Sequence, residues 1–180
     1  MNDALDFVIA EAAIRQLHAR YTDAVWRKDY EAFGDCFTLD CEWRIGGVVV
    51  RGRTAIVAHM QSVLPQFRAV LVTFRTPILE VGKGTATGRT YMSEQAVFKD
   101  GRAFGPIGTY YERFVDQGDR WRFAWRLFQT QYAGPPDLSG PFFENPDFGP
   151  PPAMPALDAP TYSRTSIHTH GSGPNKGPKP

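Results

Sequence analysis

Between Glu11 and Trp26 the apolar residues Ile14, Leu17, Tyr21, Ala24 and Val25 recur at helical offsets and define one face of an amphipathic helix. His18 falls one step off that stripe and is read as a surface residue. Asp29 then offers an N-cap for a short second helix running through Phe33, with Phe37 packing beneath it. From Cys41 to Ile45 the pattern alternates: Cys41, Trp43 and Ile45 share one strand face, Glu42 and Arg44 the other. Gly46-Gly47 ends that strand, Val48-Val49-Val50 begins its partner and Gly52 closes it. A third helix is predicted from Thr54 to Leu64, stopping at Pro65, with Ile56, Met60, Val63 and Leu64 buried and His59 on the same side.

Beyond Pro65 the period changes from helical to extended. Val70 to Val81, Thr85 to Phe98, Gly105 to Val115 and Trp121 to Gln131 read as four strands. The turns between them are Gly82-Lys83-Gly84, Lys99-Asp100-Gly101 and Asp116-Gln117-Gly118-Asp119. Short polar turns between long strands make an antiparallel meander, and helices followed by sheet make an α+β domain over residues 1–132. Residues 133–160 are Pro-rich yet hold Phe142, Phe143, Phe148, Met154 and Leu157, which predicts an extended segment packed on the domain or on a neighbouring subunit. Residues 161–180 have the composition of a mobile tail, and His168 and His170 within it read as an adventitious pair.

Composition narrows the function. A chain of 180 residues builds one core. Its 20 basic and 19 acidic residues leave a net charge of +1 without a basic stripe, which argues against a nucleic-acid partner. Cys36 and Cys41 make no metal site by spacing. The N-terminal MNDALDFVIA has neither a basic region nor a long apolar run, so no signal peptide and no membrane span are predicted, and a cytoplasmic location is expected. There is no Gly-rich phosphate loop, nucleophile elbow or His-x-x-x-His, so nucleotide, acyl-transfer and zinc chemistry lack support and no cofactor is expected.

Four phrases carry a family resemblance: ARYTDAVWRKDYEAFGDCFTLDCEW, RGRTAIVAHM, TPILEVGKGTATGRTY and GTYYERFVDQGDRWRFAWR. In that order they resemble the SnoaL-like group of the nuclear transport factor 2-like superfamily. The resemblance implies a cone: a curved antiparallel sheet wrapped round three helices, with a pocket at the open end. Relatives include scytalone dehydratase, ketosteroid isomerase, hexachlorocyclohexane dehydrochlorinase and polyketide cyclases, and some members have no catalytic function. Homodimers and homotrimers are common in the family, so one of these is expected. By the resemblance, Tyr21 matches the tyrosine that stabilises the isomerase's enolate, Trp43 an aromatic pocket residue, and His59 the cavity-lining face of the third helix. Trp26 and Val72 stand where the dehydratase and dehydrochlorinase carry their Asp/His dyad. Ile45 and Gly108 stand where the isomerase carries its base and its second oxyanion-hole acid.

The residues that remain suggest different chemistry. Tyr21, a phenol with a pKa of about 10 in the free state, can donate to a developing oxyanion. His59 can exchange a proton near neutrality. Arg126 shares a strand face with Ala124 and Phe128 and is a permanent cation able to anchor a substrate oxygen; the alternative is an ion pair with Glu112. Trp26, Trp43, Tyr110 and Phe128 would supply flat walls, and Arg44, Tyr91, Gln95 and Glu94 polar contacts. The expected function is a cofactor-independent, metal-independent lyase, a dehydratase or C–C lyase. It would act on a small aromatic, phenolic or lignin-derived substrate through a quinone-methide-like intermediate. Loss of formaldehyde from a diarylpropane diol is a variant known in similar proteins. The alternatives are a non-catalytic aromatic-ligand-binding or assembly protein, or an isomerase or cyclase of the same fold.

Overall fold

The computed structural model describes residues 3–143 together with 153 and 154. The expectations for Phe148, Leu157 and residues 161–180, with His168 and His170, lie outside the described residues.

Helix α1 spans Asp3–Arg27, starting well before the periodic run that located it. Its first turns expose Leu5, Phe7, Val8 and Ile9, so burial becomes periodic only from Ala10 onward. The buried stripe comprises Ile14, Leu17, His18, Tyr21, Ala24 and Val25. His18 is therefore not a surface residue: it is 4% exposed. A core-facing stripe is wide enough to hold both Leu17 and its neighbour, and His18 lies one helical turn beyond Ile14.

Helix α2, Tyr30–Asp35, is capped as expected, with the Asp29 side chain accepting from the Ala32 N–H at 3.0 Å. Strands β1 (Phe37–Ile45) and β2 (Val48–Arg51) form a hairpin through Gly46 and Gly47. Both glycines have positive φ, 56° and 78°, which matches the right-handed twist of the flanking strands and disfavours any side chain. Helix α3 spans Arg53–Val63 and tightens into one 3-10 turn, Leu64–Gln66, around Pro65.

The remaining strands are β3 (Phe67–Phe74), β4 (Ile78–Gly82), β5 (Thr85–Phe98), β6 (Ala103–Phe104), β7 (Ile107–Asp116) and β8 (Trp121–Tyr132). The single strand expected from Val70 to Val81 is two, broken at Arg75-Thr76-Pro77. Pro77 has no N–H to give the ladder and biases the residue before it.

The sheet runs in the order β2-β1-β8-β7-β5-β3, with β4 and β6 also on β5. The β3, β5, β7 and β8 ladders are antiparallel, whereas β1 lies parallel to β8, so the curled sheet is mixed. A parallel neighbour needs a long crossover, and the chain between β1 and β8 supplies it by way of α3 and the far strands. Residues 133–143 fold back on β8: Phe143 N–H donates to the Gln131 carbonyl at 2.9 Å, and the Tyr132 and Phe142 rings lie 4.8 Å apart.

The cone closes tightly where Gly108 of β7 faces β8. A Cβ at that position would clash with the edge of the Phe128 ring and with the Gln129 carbonyl oxygen. Gly108→Ala is therefore expected to destabilise the fold by about 1–3 kcal/mol through overpacking, read as a lowered midpoint in thermal or urea denaturation. Unchanged stability would show that β8 yields at this point.

Candidate functional site

The curl brings side chains from four elements to one point. Glu112 (β7) and Arg126 (β8) are opposite each other in register, and both are fully buried. Arg126 Nε donates to Glu112 Oε1 at 2.9 Å, and Nη2 lies 2.8 Å from the same oxygen. Glu112 Oε2 accepts from Thr90 Oγ1 (β5) at 2.8 Å and lies 2.9 Å from His18 Nε2 (α1). Burial alone would raise the Glu112 carboxyl, but the pull of His18 and Arg126 and the hydrogen bonds from His18 and Thr90 outweigh it and hold the pKa at about 2. Glu112 is therefore a carboxylate that only accepts, so Nε2 is the protonated, donating nitrogen of His18.

The guanidinium is caged by rings. Its central carbon lies 3.8 Å from the Tyr110 ring centre, 4.0 Å from Phe123 and 4.5 Å from Tyr21. The Tyr21 hydroxyl interacts with Arg126 and with the Tyr110 hydroxyl, and burial nonetheless raises both phenols above their usual pKa. The Arg126 pKa is also raised: burial opposes its charge, but Glu112 and the two tyrosines more than offset that. Arg126 Nη1 is buried without any hydrogen-bond partner, and Nη2 has the ion pair with Glu112 but no well-formed hydrogen bond. Glu94, on the same inward face of β5 as Thr90, has its carboxyl pushed up to about 7 by burial.

A groove of about 580 Å³ runs between α1 and β3 above this cluster. His18, Thr22 and Trp26 line it from the helix, Val72 and Phe74 from the strand, and Arg75-Thr76-Pro77 from the break that ends β3. Phe74 forms the thin layer between groove and cage: its ring lies 4.6 Å from His18, 5.7 Å from Tyr21 and 5.7 Å from the Arg126 guanidinium. Trp26 and Val72 thus both border the groove, Trp26 half-exposed and Val72 buried.

Of the residues singled out from the sequence, Tyr21, Arg126 and Tyr110 converge directly. Phe128 packs on Tyr110 at 4.9 Å, and Trp43 reaches Arg126 at 5.9 Å. Trp43 is 1% exposed and packs on Phe33 and Phe37. His59 is half-buried and meets Trp43 edge-on at 6.1 Å, with no described contact to Tyr21. Arg44, Tyr91 and Gln95 do not reach the interior. Arg44 pairs with Glu42 at 2.6 Å and lies over Trp125. Tyr91 and Gln95 are exposed, because the inward positions of β5 are Thr90, Met92, Glu94 and Ala96; Arg89 donates to the Tyr91 hydroxyl at 2.8 Å. His18 and the placement of Glu112 as its partner were missed. The signal for His18 was its four-residue offset from Ile14.

Cys36 and Cys41 are free buried thiols, pushed by burial up to about 11 and 12. Among the described residues no three metal-binding side chains converge, and no helix is long and apolar enough to cross a membrane.

This architecture defines a class. The SnoaL-like domain family matches residues 7–126, and the chain belongs to it. No curated protein matches the sequence significantly. Among solved structures it is similar to a type 2 hexachlorocyclohexane dehydrochlorinase (LinA), with 19% identity, a TM-score of 0.67, and coverage of 84% of this chain and 99% of that one. It is also similar to a scytalone dehydratase-like protein of Novosphingobium aromaticivorans (18%, TM-score 0.69, 74% and 91%). A third is Rv3472 of Mycobacterium tuberculosis, a protein of unknown function (27%, TM-score 0.66, 72% and 76%). The fold is one whose relatives act on or bind small molecules.

Removing the carboxylate should expose what it holds. Glu112→Gln leaves Arg126 buried without its counter-ion and is expected to cost about 3–5 kcal/mol. The depressed Glu112 pKa contributes stability that is complete above about 4.5 and is lost as pH falls through about 2. Urea denaturation against pH should therefore show a shallower acid limb in the variant than in the wild type; parallel limbs would contradict the assignment.

Proposed function

We propose that this chain is a cofactor-independent lyase acting on a small aromatic, phenolic substrate, working in the cytoplasm as a homodimer or homotrimer. The observation that carries the reading is Arg126 Nη1: a buried cationic donor in an aromatic cage, with no well-formed hydrogen bond, on a guanidinium that interacts with the Tyr21 hydroxyl. A donor pair of that kind supports a phenolate or enolate better than a neutral ligand.

For a para-hydroxyaryl substrate with a benzylic hydroxyl, the phenolic proton leaves and the ring electrons expel the hydroxyl. That group takes a proton and departs as water, leaving a quinone methide. A neighbouring hydroxymethyl group can then lose its O–H proton and break its C–C bond; the bond electrons restore the phenolate and formaldehyde is released. Neither step transfers electrons to an outside acceptor. Tyr21 and Arg126 carry the oxyanion in this scheme. His59 is the proton shuttle for a ring seated at the Trp43 wall, and Trp26, Tyr110 and Phe128 supply the remaining aromatic surface.

A second reading, a non-catalytic binder of aromatic molecules, is favoured by one observation: Trp43 fills part of the cone by packing on Phe33 and Phe37. Chelator-treated protein supplied with a para-hydroxyaryl diarylpropane diol separates the two. The lyase reading expects release of water or formaldehyde, slowed about a hundredfold in Tyr21→Phe. Binding without turnover would establish the second reading, and turnover that requires a metal or nucleotide would exclude the first.

A further inference from the structure

The cone holds a second histidine that the sequence pattern hid, and it is better placed for proton transfer than the first. We infer that His18 is a further proton-transfer residue, with Glu112 as its positioning carboxylate, acting on a flat aromatic molecule in the groove between α1 and β3. The inference rests on a catalytic reading of the cone, though not on which molecule the cone converts.

Three observations combine. Glu112 accepts from Nε2 at 2.9 Å and is itself fixed by Thr90 and Arg126, so the ring has one orientation and its Nε2–H tautomer is selected. Nδ1 is the other ring nitrogen, and it is buried without a hydrogen-bond partner. A buried, unpartnered ring nitrogen costs stability unless something occupies it part of the time. Finally, His18 lines the groove while being only 4% exposed, which puts it at the groove's floor rather than its rim.

His59 lacks each of these features. It has no described carboxylate partner, and it does not line the groove. The groove also brings the other requirements together. Trp26 offers a half-exposed indole at one end, and only the Phe74 ring separates His18 from the Tyr21–Arg126 donors. A proton taken at Nδ1 and negative charge delivered toward Arg126 would belong to one molecule spanning that layer. The charged groups facing His18 are Glu112 and, behind it, Arg126 from the sheet, Arg15 and Asp23 from its own helix, and Arg75 at the end of β3.

Nitrobenzisoxazole tests this without knowledge of the natural substrate. A base removes its ring C–H proton, the C–H electrons form the nitrile, the N–O bond breaks, and the coloured cyanonitrophenolate leaves with the negative charge. Wild-type protein is expected to catalyse this with saturation. His18→Gln should lower kcat by about a hundredfold. Glu112→Gln, assayed where it remains folded, should move the pH profile rather than only scale it. Absence of turnover in wild type or an undiminished rate in His18→Gln would overturn the inference.

Nitrogen NMR of the wild-type ring gives a check independent of any variant's folding. His18 Nε2 should carry a proton hydrogen-bonded to Glu112, and the Nδ1 resonance should shift when cyanonitrophenolate is added. A bare Nε2, or no Nδ1 shift at saturation, contradicts it. Failure of the diarylpropane assay with these results intact would change the substrate and leave His18 in its role.

Discussion

The ion pair between Glu112 and Arg126 is the constraint around which the cone is arranged. Both side chains are wholly removed from water, and each charge costs several kcal/mol to desolvate. What compensates is specific: one Nε–H···O bond, donors from Thr90 and His18, and three ring faces round the guanidinium. The compensating groups come from four elements, so the pair ties β5, β7, β8 and α1 to one register. A one-residue slip of β8 against β7 would turn Arg126 outward and leave Glu112 buried alone.

The same arrangement gives the site its chemical character. Trp26 and Val72 both border the groove without an ionisable group. At Gly108 the Phe128 ring takes the space a side chain would need. Ionisable groups lie one layer deeper instead, where Tyr21, Arg126, Glu112 and His18 meet. Low polarity there strengthens any interaction with a developing charge.

Much of this was legible in the sequence. The three helices, the Asp29 cap, the Gly46-Gly47 hairpin and the long β5 follow from periodicity and turn chemistry, because those signals are local. The parallel β1–β8 pairing was not legible, since it depends on a crossover that no local pattern records. Arg126, Tyr21 and Tyr110 were recognised as polar groups on inward faces. Tyr91 and Gln95 were assigned to the wrong side of β5, where alternation fixes two faces but not which one is buried. His18 was lost because a histidine beside Leu17 reads as polar, although a stripe through Ile14 and Tyr21 is broad enough to bury both. Its worth comes from Glu112, a partner 94 positions away.

The central claim is that the cone interior receives a negatively charged oxygen. The direct measurement is the absorption spectrum of para-nitrophenol bound to the protein, followed as pH is lowered. If Arg126 and Tyr21 form an oxyanion site, the bound compound keeps its yellow phenolate band below the pH at which the free compound loses it. If bound para-nitrophenol is colourless there, the cage recognises a neutral ring, and the oxyanion account is wrong.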